Sequence, residues 1–346
     1  MRRITTLAVL LASTASIARA EVPSIVADIA PVHGLVSMVT GDITTPSMLI
    51  EPTASPHSNA IRPSVAAALQ DADVVFWIGS DLSPWLEDPI ETLAPDAQHS
   101  ALLSVAGTQT LSFRETNIFA SDKDDHGHDE HGDEHASDEA DHEDHAEDAA
   151  DHDDQGHEEH EEEAHDDHGD EGHDHSGIDP HAWLSPTNAG VWLTHIAETL
   201  STLDPDNAAT YAANADSAKA QIAKEVEAAQ TLLTPAQDRP FAVFHDAYHY
   251  FEDQFGLEVI GAISLRDAVP PSPAQVAEVQ REIRENGVVC VFSEPQFSDA
   301  LVQTVIEGTD AKTAQLDPVG ANLDLGAGFY PALIRDMTDR LVDCLQ

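Results

Sequence analysis

Asp73-Val74-Val75-Phe76-Trp77-Ile78-Gly79 is the stretch whose reading decides the fold. Five consecutive apolar residues with no polar alternation predict a strand buried on both faces, as in a parallel sheet covered by helices. The residues before it, 63–70, read as a helix with Pro63 in its first turn. Working outward, 24–29 is another apolar run, 31–39 is helical, 48–50 is a short strand and 102–105 a further strand. Beyond residue 205 the pattern changes. Residues 205–233 are rich in Ala, Gln, Lys and Glu with apolar residues at helical spacing, which predicts one helix of about eight turns, about 40 Å long. The alternation then returns: strand 241–244, helix 248–255 closed by Gly256, and strand 257–263. A helix follows from the capping box Ser272-Pro273-Ala274-Gln275 to residue 285, then strand 288–292, a helix capped by Ser298 and a final amphipathic helix 332–345. Alternating strand and helix signals on both sides of a long helix predict an α/β protein with two mainly parallel sheets. There is no long internal sequence repeat.

The middle of the chain contradicts any folded reading. Residues 121–176 hold 13 of the 20 histidines and 27 acidic residues, with Lys123 the one base and no apolar side chain larger than alanine. Such a segment cannot bury enough apolar surface to fold, so a disordered acidic loop is expected over 121–177. It supplies −26 of the formal charge of −49. A protein this acidic is a poor partner for nucleic acid or anionic lipid and a natural one for a cation. Imidazole and carboxylate together suit zinc and its neighbours in the first transition row. Weak accessory sites are expected at His126, His128, His131, His135, His173 and His175.

The first twenty residues read as an export signal. Arg2 and Arg3 precede a short apolar run, 4–17, and Ala18-Arg19-Ala20 offers small residues at the cleavage positions, so the mature chain begins at Glu21. In a bacterium with two membranes this means the periplasm. The two cysteines, Cys290 and Cys344, are then expected to form a disulfide. Without the signal and the loop roughly 270 residues remain, which suits two modest α/β domains better than one. The expected division is a signal at 1–20, one lobe at 21–204, a linking helix at 205–234 and a second lobe at 235–346.

Seven histidines lie outside the loop. His57 follows a turn after the short strand 48–50, His245 follows the strand 241–244, and His181 stands just after the loop. Ligands of open α/β sheets collect at the carboxyl ends of strands, and three imidazoles converging between two lobes would bind Zn²⁺ well. His195, in an apolar helical run, reads as packing. His99 is in a polar turn, and His33 at a helix start could orient a neighbour. His249 shares a helical face with His245, although a surface position suits it better.

Several motifs together carry a resemblance: Pro31-Val32-His33, Pro56-His57-Ser58, Arg62-Pro63-Ser64, Asp179-Pro180-His181-Ala182-Trp183-Leu184-Ser185-Pro186, Val243-Phe244-His245-Asp246-Ala247-Tyr248, Phe292-Ser293-Glu294-Pro295-Gln296-Phe297 and Leu316-Asp317-Pro318. With the 73–79 stretch and the inserted His-rich loop, they resemble the zinc-binding solute-binding proteins of bacterial ABC importers, the ZnuA type of the cluster A-I metal-binding family, over nearly the whole mature chain. The resemblance implies two four-stranded α/β lobes joined by a rigid helix, with the ion in the cleft. It places His57, His181 and His245 on the family's three histidine ligands. The fourth position falls to Asp317 or to a water, since the carboxylate that some zinc members place before the first histidine is Pro56 here. It also implies the Cys290–Cys344 bridge, delivery of Zn²⁺ to a membrane permease, a monomer, and a periplasmic metallochaperone as an optional further partner.

Three readings compete. Three imidazoles favour zinc capture over manganese capture, because manganese relatives have a carboxylate where this chain has His245. An enzyme would need a base beside the metal, and Glu294 and Asp246 are the only obvious candidates. A zinc buffer or chaperone would work mainly through the loop, whose histidines titrate near pH 6.5.

Overall fold

The computed structural model describes residues 22–58, 60–119, 177–265 and 271–346. In chain order the elements are β1 (Ile25–Ala27), α1 (Ala30–Thr40), β2 (Ser47–Met48), α2 (Pro63–Gln70), β3 (Val74–Trp77), α3 (Pro84–Leu93) and β4 (Gln98–Ala101). Then come α4 (Pro186–Leu203), α5 (Ala208–Leu233), β5 (Phe241–His245), α6 (His249–Phe255), β6 (Val259–Ser264), α7 (Pro273–Glu285), β7 (Cys290–Ser293), α8 (Ala300–Ile306), β8 (Lys312–Gln315) and α9 (Phe329–Leu345). They form two four-stranded sheets of the same order, β2-β1-β3-β4 and β6-β5-β7-β8. Every pairing between these strands is parallel. The repeat absent from the sequence is thus present in the topology. No helix among the described residues is long and apolar enough to cross a membrane.

Val74, Val75 and Phe76 are fully buried and Trp77 nearly so, as a central strand of a helix-covered sheet requires. In β5 the period-2 alternation splits the strand between two cores. Phe241 and Val243 join the main cluster, which runs from β1 and α1 through α4, α5 and α9. Ala242 and Phe244 pack on the other face, against Val279 and Ile283 of α7 and Val302 and Val305 of α8. The main cluster draws on both sheets, with α5, 26 residues and about 39 Å long, lying along it through Tyr211, Ala215, Ala218, Ile222, Ala229 and Leu233. The expected spine is therefore a helix whose small residues admit close neighbours on one side, while its polar residues face water.

Two polar edge strands differ from the expectation. The apolar residues read as strand 102–105 instead form a 3₁₀ turn, Leu102–Ser104, and the strand is the preceding Gln98–Ala101. β8 is Lys-Thr-Ala-Gln and gives no apolar signal. Both close the same edge of their sheet, where one side of the strand meets solvent and hydrophobicity ceases to mark the backbone ladder. α3 also departs from the expectation, since Glu87, Asp88, Pro89 and Glu91 interrupt its apolar pattern. β2 ends at Met48 rather than Ile50. Asp299, not Ser298, stands at the N-cap of α8, although Ser298 Oγ accepts from Ala300 N at 3.3 Å. The capping box at Ser272 and Gln275 is formed as expected, and Gly256 closes α6 with φ +64°. Cys290 of β7 and Cys344 of α9 are bonded, with Cα atoms 6.1 Å apart.

The chain between β4 and residue 119 crosses from the first sheet to the second. Phe119 N donates to Ile260 O at 2.8 Å and Ala262 N donates to Asn117 O at 2.9 Å, so these residues run antiparallel along the free edge of β6, bridging at Ile118 and Gly261. Gly261 is required there, because a Cβ would come within 2.4 Å of Asn117 O. The chain returns at Gly177, where Phe113 N donates to Gly177 O and Asp179 N donates to Leu111 O. Arg114 pairs with Asp246 at 2.8 Å and Glu252 at 2.7 Å and lies 4.0 Å over the ring of Phe119.

Candidate metal centre

Three imidazoles meet between the two sheets. His245 is the last residue of β5. His181 precedes the 3₁₀ turn Ala182–Leu184 that leads into α4. His57 rides the loop between β2 and α2. Their candidate ligand atoms all lie within 4.8 Å of one another, the one such group of three among the described residues. His181 Nε2 is 3.2 Å from His57 Nε2 and 3.4 Å from His245 Nε2. A tetrahedral ion with metal–nitrogen bonds of about 2.0–2.1 Å puts its ligand atoms roughly 3.3–3.4 Å apart. The spacing is that of a tetrahedral edge.

The outer nitrogens explain why the inner ones face each other. His181 Nδ1 is 2.7 Å from Asp179 Oδ1 and His245 Nδ1 is 2.7 Å from Glu294 Oε1. With Nδ1–H donating to a carboxylate, a neutral imidazole presents a lone pair at Nε2. Lone pairs converging at these distances repel unless a cation bridges them. Burial first, and then the neighbouring His245 imidazole, hold His181 well below the ordinary histidine range, so it is neutral at pH 7 with a lone pair available to a cation. Asp179 is pushed up to about 7 by burial and drawn down by the backbone N–H of His181 and by electrostatic interaction with His249, Arg114 and His245. It is further placed by Tyr250, whose hydroxyl donates to Asp179 O at 2.7 Å and accepts from Leu111 N at 2.9 Å.

The walls come from loops and helix starts around both sheets. Pro56 O accepts from Ser83 Oγ and Trp85 Nε1, both at 2.9 Å, which fixes the residue before His57. Trp183 Nε1 donates to Pro318 O at 2.8 Å, and Tyr330 donates from its hydroxyl to Trp183 O at 2.6 Å. The cavity lined by the three histidines, Trp183, Phe297 and Val319 measures about 10 Å³. That is room for about one water-sized species.

Asp317 is not among the gathered ligand atoms. Its Oδ1 accepts from Val319 N, Gly320 N and Gln296 Nε2, and its Oδ2 from Ala321 N at 2.6 Å. Its carboxylate holds the loop after β8. Glu294, read from sequence as a possible base, stands against His245 Nδ1, and Asp246 is engaged by Arg114. His33 is buried in α1 with Nε2 3.2 Å from Pro46 O, which ties that helix to the chain entering β2. His195 contacts Ser100 Oγ at 2.7 Å and packs edge-on to Phe76. His99 lies 2.7 Å from Ala94 O. Both line a separate open groove of about 690 Å³ at β4 and α4. His249 sits 3.8 Å from Asp179 Oδ2, outside the gathered group. His126, His128, His131, His135, His173 and His175 fall outside the described residues.

Sequence reasoning missed the partners of the ligands. Asp179, two residues before His181, is the one with a local signal, an acceptor placed to reach the next-but-one imidazole. Glu294, Tyr250 and Gln296 lie 49 or more residues from the histidines or motifs they serve, and no spacing announces them.

The family model for the periplasmic zinc-uptake complex component A matches residues 25–344. The high-affinity zinc uptake system protein ZnuA of Paracoccus denitrificans is 46% identical over 340 residues, 98% of this chain and 97% of that protein. Its counterpart in Brucella abortus is 39% identical over 325 residues, 94% and 92% of the two chains. Among solved structures, a zinc-bound ZnuA lacking residues 138–173 of its own sequence shares the fold with a TM-score of 0.68 at 20% identity, covering 94% of this chain and 99% of that one. The laminin-binding protein of Streptococcus agalactiae, described as an adhesin with metal-transporting activity, has a TM-score of 0.67 at 20% identity and covers 94% and 100%.

Proposed function

The chain belongs to the periplasmic zinc-uptake complex component A family, and from that premise we propose that it captures Zn²⁺ and delivers it to the membrane permease of an ABC importer. The observation that carries this is the gathering of three imidazoles, with His181 Nε2 at tetrahedral-edge distance from the Nε2 atoms of both His57 and His245, and with His181 and His245 backed by buried carboxylates. His57, His181 and His245 hold the ion, and a water takes the fourth position, because Asp317 is committed to its own loop. Imidazole ligands select zinc over manganese. The carboxylates behind His181 and His245 raise the basicity of the nitrogens that bind the ion.

On this reading the protein works in the periplasm after cleavage behind Ala20, as a monomer with lobes at 21–204 and 235–346 on either side of the helix 205–234. The histidine-rich segment is an accessory collector, and a periplasmic metallochaperone is an optional source of the ion. Catalysis forms no part of the proposal. The test is a Zn²⁺ titration of the mature chain against a competing chelator, with Mn²⁺ in parallel and the same chain lacking residues 122–176 beside it. One tight zinc site, present in both and lost in His57→Ala, is the expected result. Tighter binding of Mn²⁺, or loss of the tight site with the segment, would overturn the proposal.

A further inference from the structure

Gln296 follows β7 and lines the three-histidine cavity. Its side-chain amide can be oriented in only one way. Nε2 donates to Pro52 O at 3.3 Å and to Asp317 Oδ1 at 3.2 Å. One partner is a backbone carbonyl and the other a carboxylate oxygen that already takes two backbone N–H groups. Both can only accept, so turning the amide over would set oxygen against oxygen. The carbonyl end, Oε1, therefore points the other way, and it is buried with no hydrogen-bond partner. Buried carbonyl oxygens are normally paired, and an orphan acceptor on the wall of a metal cavity calls for a donor within that cavity.

Three imidazoles leave a tetrahedral ion one open position. A water there is polarised by the ion and is a strong donor with no lone-pair demand of its own beyond the bond to the metal. We infer that Gln296 Oε1 accepts a hydrogen bond from the water that completes the coordination of the bound ion, making Gln296 the positioning residue of that water. The inference rests on the proposed function. It has a chemical consequence. A carbonyl oxygen facing the fourth position favours a ligand that carries a proton and disfavours an anion without one. Gln296 also spans the two halves, from the loop carrying His57 to the loop after β8, so the water is oriented only when both loops are in place.

The experiment uses the mature full-length chain, wild type and Gln296→Met, which keeps the volume and removes both ends of the amide. Zn²⁺ affinity is measured by chelator competition. Azide affinity is measured on the Co²⁺-loaded protein from its visible absorption. The expected result is a loss of zinc affinity on the order of tenfold, several-fold tighter azide binding, and an absorption band that stays tetrahedral. The inference is overturned if Gln296→Met leaves both zinc and azide affinity within twofold of wild type. A collapse of the tetrahedral band in Gln296→Met without azide would also overturn it, since Gln296 would then be a direct ligand. Failure of the wild type to bind zinc tightly would instead sink the functional reading, and the inference with it.

Discussion

The first strands of the two sheets, β1 and β5, end on different chemistry. Each is an inner strand, and each lies parallel to the third strand of its sheet. After β1 stands Asp28, fully buried, whose carboxylate accepts from Ile29 N at 2.7 Å and from Ile78 N at 2.8 Å. At the end of β5 stands His245, whose Nδ1 meets Glu294 beyond β7 and whose Nε2 turns toward His181. In one half the strand end ties down its own backbone. In the other it holds a candidate ligand, and the carboxylate stands just beyond the neighbouring strand. The first half supplies its imidazoles from loops instead, His57 after β2 and His181 before α4. One topology used twice thus gives a candidate site with one imidazole at a strand end, that of β5, and two on connecting segments.

Exchanging the chemistry of these two ends should produce the largest effect. In His245→Asp the strand end of the second half would resemble that of the first, and its carboxylate would face Glu294 in a buried setting. We expect a loss of zinc affinity on the order of 10³-fold, about 4 kcal/mol, with a much smaller loss for Mn²⁺. Chelator competition with both ions reads this directly. Equal losses for the two metals would show that His245 does not set the choice of ion.

The buried carboxylate of the first half should show itself through pH. Burial raises Asp28 from 3.8 to about 7 against the pull of its backbone donors. Between those values the folded protein holds a proton that the unfolded chain has released, so stability is greatest below about 3.8 and falls as pH rises toward 7. At about 1.36 kcal/mol per unit the contribution has an upper limit of about 4 kcal/mol. In Asp28→Asn this component of the slope should vanish in urea denaturation of the metal-free protein between pH 4 and 7. An unchanged slope would mean that Asp28 is already ionised throughout.

Much of the fold is legible in the amino-acid sequence. The 73–79 run, the capping box at Ser272 and the helical spacing of 205–233 report local energetics, and local energetics decide those elements. The three histidines are legible because each follows a recognisable strand or segment boundary. β4 and β8 are not, since Gln98, His99, Lys312 and Thr313 sit on edges where ladder hydrogen bonds rather than apolar burial define the strand. Glu294 behind His245 and Tyr250 behind Asp179 are pairings across 49 and 71 residues, fixed by the sheet register and not by any local pattern. The shared core under both sheets is likewise a property of packing, which a division into lobes by sequence does not reveal.

A smaller effect should come from the partner of the strand-end imidazole. Glu294→Gln keeps an oxygen opposite His245 Nδ1 and removes the charge. The expected weakening of zinc binding is about 10- to 100-fold, and Asp179→Asn should fall in the same range on the side of His181. If Glu294→Gln binds zinc as wild type does while Asp179→Asn does not, then the strand alone orients His245, and only the loop-borne ligand depends on its carboxylate.

The smallest effect concerns the edges of the two sheets. β2, at the edge of the first, is a two-residue strand, whereas β6, at the matching edge of the second, is covered by residues 117–119. That cover depends on Gly261. Adding a methyl group there sets a Cβ 2.4 Å from Asn117 O, and the Asn117–Ala262 and Phe119–Ile260 hydrogen bonds must yield. Gly261→Ala should cost about 1–3 kcal/mol of stability in urea denaturation, the range for an overfilled contact. Its zinc affinity should shift less than that of Glu294→Gln, because the cover lies on β6 and the ligand on β5. A larger shift in affinity than in stability would mean that the crossing segment, which returns through Gly177 to Asp179 and His181, transmits the state of the β6 edge to the metal centre.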